Sequence, residues 1–242
     1  MKKGISQEGL KLLACVTMLL DHIAYSLVAY MPEQGMLYYT LRTIGRLAFP
    51  IYAFLLAEGF CHTRDRKKYA LRLFAGVLLA ELPYDLMSAG AFSWAQQSVM
   101  VTLFLGFLAL TAMEACRNFY WKPVAALPFL ILAELACSDY GWQGVLLIVL
   151  FAMSRGYYGR NIIRFGGMLV IFHTMPSVAL TVGNIAIPLQ ALGSLSILFI
   201  ANYDGRKLTA SRAVQWVFYL FYPVHMLILA GLEWMLYGGY TL

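Results

Sequence analysis

The chain has 242 residues, 61% hydrophobic and only 12% charged, with a mean hydropathy of +0.70 and a formal net charge of +6. A soluble domain carries about 25% charged residues, which excludes that class. The apolar residues come in blocks near the ~20 residues that cross a ~30 Å hydrocarbon core, so the chain reads as a polytopic membrane protein.

The first block, 9–30, lacks a small-residue cleavage site and holds Asp21 and His22 at its middle, which marks a retained helix rather than a removable signal. The second, 41–60, carries Arg42, Arg46 and Glu58. The third, 69–88, has Glu81 and Asp85 four residues apart, with Pro83 between them to bend the helix or release a carbonyl. Span 98–116 follows. Spans 123–138 and 141–154 are short and separated only by "SDYGW", which suits a tight hairpin or a re-entrant pair. Spans 164–181, 185–201 and 213–237 complete an expected all-α transmembrane bundle of about nine helices. No linker, repeat or low-complexity stretch interrupts it, so residues 1–242 read as a single membrane domain.

Lysine and arginine favour cytoplasmic loops. With a cytoplasmic N-terminus, the inner segments are "MKKG", "HTRDRKK", "RNFYWK", "SRGYYGRNIIR" and "NYDGRKLTASR". All 18 lysines and arginines except Arg42 and Arg46 lie in these segments or, like Lys11 and Arg72, at the adjoining helix ends. The expected topology is therefore N-terminus inside and C-terminus outside. The positive charge reflects that topology and contact with anionic lipid, not nucleic acid. The four cysteines form no CxxC and no Cys/His pair at zinc-finger spacing, so they read as packing residues, with no metal expected.

An arginine near a bilayer centre costs about 2.5–3.5 kcal/mol on insertion scales. Arg42 and Arg46, four apart, share one helix face in the outer half of their span. Glu81 and Asp85 are expected at the same depth as their neutralising partners, with Asp21 and His22 within reach. Ionisable residues inside a membrane face the bundle interior or a wet cavity, so a six-residue polar cluster is expected. Arg42 can also snorkel to the interface, and an ion pair can be purely structural. His173 reads as a satisfied core histidine, and Thr102 as an interhelical hydrogen-bonding residue.

Several stretches carry a family resemblance: "LKLLACVTMLLDHIAYSL" (10–27), "LRTIGRLAFPIYAFLLAEGFCHTRDRKKYALRL" (41–73), "ELPYDLM" (81–87), "DYGWQGVLLI" (139–148), "NYDGRKL" (202–208) and "FYLFYPVHMLILA" (218–230). Together they resemble the TraX family over almost the whole chain. The departures are Ser98 to Thr102, where an asparagine is expected before the threonine, and Asn202 to Gly205, where a Y-N-G-like turn is expected. The resemblance implies a membrane-embedded N-acetyltransferase of the bacterial inner membrane, taking acetyl groups from acetyl-CoA to an amine such as a pilin N-terminus. The element from Tyr222 to His225 is similar to sequences near the last helix of other membrane acyltransferases.

The residues suit such chemistry. CoA is polyanionic and cytoplasmic, and the inner segment around His62, Arg64, Lys67, Lys68 and Arg72 can meet its phosphates. Acyl transfer needs a base for the nucleophile's proton and donors for the oxyanion. His22 is the first candidate base, oriented by Asp21 or another carboxylate, with His225 the next candidate. Arg42 or Arg46 is available to the oxyanion or the acceptor. With no G-x-S-x-G elbow or catalytic-cysteine signature, direct transfer and an acyl-histidine both stay open. A proton-coupled transporter is the alternative, because Asp, Glu and His chains also relay protons, but no paired broken helices of the inverted-repeat kind are visible.

Overall fold

A computed structural model describes residues 4–33, 35–182, 185–208 and 211–238. The chain is helical almost throughout. Helix α1 (Gln7–Ser26) starts where the Ser6 hydroxyl accepts the Gly9 N–H at 3.1 Å, with Glu8 in its first turn complementing the dipole. Its buried stripe runs Leu10, Ala14, Thr17, Met18, Asp21 and Ala24, a helical period that puts a carboxylate on the inward face.

The expected 41–60 helix is two helices, α2 (Gly35–Gly45) and α3 (Ala48–His62). Pro50 explains the break, because it has no N–H for the Arg46 carbonyl and its ring crowds that oxygen. Helix α4 (Arg66–Ser88) begins at Asp65, whose carboxylate accepts the Lys68 N–H at 3.0 Å. This bond and the Lys68 ammonium hold the exposed Asp65 carboxyl below its usual range. Helices α5 (Val99–Ala115), α6 (Lys122–Leu135), α7 (Gly141–Met153) and α8 (Arg160–His173) follow. The 14 residues of α6 and 13 of α7 reach about 20 Å each, against a ~30 Å core, and they pack as a short hairpin.

The chain departs from the expected pattern again at 164–201. Helix α8 stops at His173, and Pro176 bars its continuation. Strands β1 (Ala179–Val182) and β2 (Ile185–Pro188) then pair antiparallel, Ala179 opposite Pro188. A 3-10 helix (Leu189–Ser196) and the single turn α9 (Ile197–Ile200) replace the expected eighth span. Helix α10 (Arg212–Tyr237) closes the described chain.

Among the described residues, three stretches are long and apolar enough to cross a bilayer: Gln7–Tyr30, Gly35–His62 and Ala213–Tyr237. Helix α4 has the length but carries Arg72, Glu81 and Asp85. Large apolar side chains point outward along α4 and α10, among them Leu78, Leu82, Trp216, Leu220, Ile228 and Trp234. Such coverage suits hydrocarbon and would be unfavourable in water. These helices suit a membrane protein. Residues 1–3 and 239–242, the termini for which opposite sides are expected, lie outside the described residues.

The chain groups into two compact units. One comprises 1–52, 80–93 and 177–242, where α1 packs against α2 and α10, and α2 against the 3-10 helix. Its N-terminal segment is tied to residues 202–208. Ile5 donates to the Asn202 carbonyl at 2.8 Å, Asp204 donates back to Ile5 at 3.1 Å, and Gln7 donates to the Arg206 carbonyl at 2.9 Å. The other unit comprises 53–79 and 94–176, built on α5 to α8 with Phe54 against Phe151 and Phe60 against Phe107. Within it Thr102 hydrogen-bonds Ser138 at 3.0 Å, in the turn between α6 and α7, a helix-to-turn contact in place of the interhelical one expected.

Candidate active site

The charged residues of α1 and α2 meet in the first unit. Asp21, 8% exposed, accepts Arg42 Nη1 on Oδ2 at 3.0 Å, and the same oxygen takes Arg46 Nη2. Arg46 Nη1 donates to Gln190 Oε1 at 2.9 Å. The Arg42 guanidinium lies 5.7 Å from the Tyr25 ring centre and 6.0 Å from that of Tyr38. The four-residue spacing does put both arginines on one face. Gly45 makes the approach possible, because a Cβ there would overlap the Asp21 side chain. One carboxylate takes contacts from both guanidiniums. Asp21 Oδ1 and Gln190 Nε2 are buried with no hydrogen-bond partner among the described residues.

One expected counter-ion, Asp85, is corrected here. Asp21, and not Asp85, takes the arginine contacts described above. Asp85 is 2% exposed and its Oδ2 accepts the Ser93 N–H at 3.2 Å. The chain doubles back after α4, and a main-chain amide satisfies the carboxylate that the arginines were expected to claim. Glu81 is half-buried one turn earlier on the same helix.

The two candidate bases are brought together. His22 Nδ1 and His225 Nε2 are 2.7 Å apart, with the rings 7° from parallel. His225, 6% exposed, also donates from Nδ1 to the Phe221 carbonyl at 2.6 Å. Tyr222 meets both imidazoles edge-on, at ring-centre distances of 6.3 and 5.9 Å. Asp21 was expected to orient His22. It is committed to the arginines instead, and an imidazole stands in the orienting place. On a helix, adjacent residues point about 100° apart, so Asp21 and His22 serve different neighbours.

The basic segment belongs to the second unit. Arg64, Lys67, Lys68 and Arg72 are exposed. Lys68 pairs with Asp65 at 3.1 Å, and Arg72 lies 5.4 Å from the Tyr69 ring centre. His62 is held differently: its Nδ1 donates to the Glu58 carbonyl at 2.8 Å, while Arg155 donates to its Nε2 at 3.0 Å and pairs with Glu58 at 3.3 Å. His62 is therefore part of a structural ion-pair group. His173 is a second correction: it is exposed at the end of α8 rather than in the core.

Sequence reasoning missed Gln190 and Gly45. Gln190 was visible only as an amide in the apolar run "IPLQALGS", and Gly45 only as a glycine one position before Arg46.

The family model for TraX protein matches residues 6–233. The chain belongs to the TraX family. The matched stretch contains Asp21, His22, Arg42, Arg46, Gln190 and His225. The chain is also similar to the "Probable fimbrial assembly protein FimC, serogroup H1" of Dichelobacter nodosus. The two are 31% identical over 94% of this chain and 95% of that relative. No solved structure matches the chain.

Proposed function

We propose that this TraX-family chain is a multi-pass acetyltransferase of the bacterial cytoplasmic membrane, moving an acetyl group from acetyl-CoA to an amine such as a pilin-like N-terminus. The observation that carries this reading is the imidazole pair His22–His225, in the same unit as two guanidiniums sharing one carboxylate. A base and fixed hydrogen-bond donors for the oxyanion are what acyl transfer requires. Family membership and the fimbrial-assembly relative support a pilin-related acceptor.

In the proposed reaction, the acceptor amine's lone pair attacks the thioester carbonyl carbon and His22 takes the amine proton. Arg42 or Arg46 meets the negative charge that builds on oxygen. The C–S bond then breaks, its electron pair goes to sulfur, and the thiolate recovers the proton. The exposed cations Arg64, Lys67, Lys68 and Arg72 contact the CoA phosphates. The N-terminus lies inside, as the charge partition favours.

The test uses purified protein in detergent micelles, acetyl-labelled CoA, a peptide with a free pilin-like N-terminal amine and the same peptide N-blocked. Label is expected on the free-amine peptide alone. Absence of label from every acceptor and from the protein itself would overturn the reading.

A further inference from the structure

The hydrogen bonds at the two imidazoles settle which nitrogen is available to react. A carbonyl oxygen only accepts, so the 2.6 Å contact between His225 Nδ1 and the Phe221 carbonyl puts a proton on that nitrogen. The buried ring has only neutral hydrogen-bond partners among the described residues, which leaves it uncharged. Its Nε2 is therefore an acceptor. That Nε2 lies 2.7 Å from His22 Nδ1, which must donate. His22 Nε2 is left holding the lone pair.

Three contacts keep His225 from turning. The Phe221 carbonyl belongs to the preceding turn of the same helix, the Phe221 ring stacks on the imidazole at 4.7 Å and 22°, and Tyr222 abuts it edge-on. On the other side, the hydroxyl of Ser26 donates to the His22 carbonyl at 2.7 Å, one turn along α1.

Building on the acyltransferase reading, we propose that His225 is a positioning residue that locks His22 in its Nδ1–H tautomer and so makes His22 Nε2 the reactive base. The amine proton passes to His22 Nε2 as the N–C bond forms. The imidazolium keeps its Nδ1–H on His225, and the same Nε2 proton goes to the departing thiolate as the C–S bond breaks. A carboxylate commonly orients a catalytic imidazole. Here a second imidazole does so, because Asp21 is held by Arg42 and Arg46.

The experiment compares wild type, His225→Gln and His225→Leu, each with ¹⁵N-labelled histidine, by NMR and by acetyl transfer. A glutamine carboxamide can still offer an oxygen to His22 Nδ1–H, whereas leucine cannot. The spectra should show His22 protonated at Nδ1 and bare at Nε2 in wild type and in His225→Gln. Turnover should stay within about 10-fold for His225→Gln and fall about 100-fold or more for His225→Leu, with the acetyl-CoA KM unchanged. Wild-type His22 protonated at Nε2, equal losses in two folded variants, or normal turnover in His225→Leu would each overturn the proposal. If wild type transfers acetyl to no amine, the acyltransferase reading fails, while the NMR tautomer still decides the positioning claim.

Discussion

Gly45→Ala tests the close approach of α1 to α2 most directly. A Cβ built at Gly45 overlaps Asp21 Cβ and Oδ1 and lies 2.6 Å from Cγ, whereas ordinary van der Waals contact begins at 3.4 Å, so the gap must open by more than about 0.8 Å. If the carboxylate gives way, the Arg42–Asp21 bond stretches from 3.0 Å to beyond hydrogen-bonding range. Overpacking costs about 1–3 kcal/mol, and a hydrogen bond to a charged group is worth about 1.5–3 kcal/mol. A loss of about 3 kcal/mol corresponds to a Tm lower by roughly 6–12 °C for a chain of this size. Gly35→Ala is the control, since a Cβ there meets nothing within 4 Å. Thermal unfolding in detergent, followed by intrinsic fluorescence, should separate the two variants. Equal melting temperatures for Gly45→Ala, Gly35→Ala and wild type would refute the argument that this glycine admits the carboxylate.

Topology is accessible to cysteine labelling in intact cells, in a background without the native cysteines. An impermeant reagent should reach a cysteine at Glu33 and miss one at Arg66, and the reverse pattern would overturn the inside-outside assignment. Replacing Arg64, Lys67 and Lys68 together with glutamine should raise the apparent acetyl-CoA KM and leave the acceptor's unchanged, as measured by initial rates. An unchanged value would leave those residues as determinants of topology alone. His22→Ala should lower turnover by about 10²–10⁴-fold with acetyl-CoA binding retained, while His173→Ala keeps most activity. Near-normal rates in a folded His22→Ala preparation would remove His22 from the mechanism. Asp21→Asn should destabilise the fold, since removing one partner of a buried ion pair costs about 3–5 kcal/mol, discounted for the residual exposure of these side chains. A melting temperature equal to wild type would show that the two guanidiniums need no counter-charge.

The sequence made the members of the cluster legible more readily than their pairing. Asp21, His22, Arg42 and Arg46 stand out because charge is expensive within apolar spans, and helical spacing alone puts the arginines on one face. Their contact with Asp21 was not legible, because three carboxylates were available and its close approach turns on one missing Cβ at Gly45. His225 was visible as a polar residue in the last span, but the contact joins residues 203 positions apart. The kink between α2 and α3 was readable in principle from Pro50. The β1–β2 hairpin was hidden because its strands are as apolar as a spanning helix, so hydropathy alone does not distinguish them.

The first unit is assembled from three separated stretches of chain, and synthesis delivers them in a fixed order. Asp21 meets Arg42 and Arg46 early, since the three lie within 26 consecutive residues and pair in a short hairpin. Gln190 arrives much later, and His225 and the strip 202–208 that fastens Ile5 and Gln7 later still. A nascent chain paused after α8 thus holds its arginines on Asp21 and His22 without its mate. The imidazole pair, unlike the ion pairs, is completed only when α10 docks, so the proposed site is finished at the close of biogenesis rather than along the way.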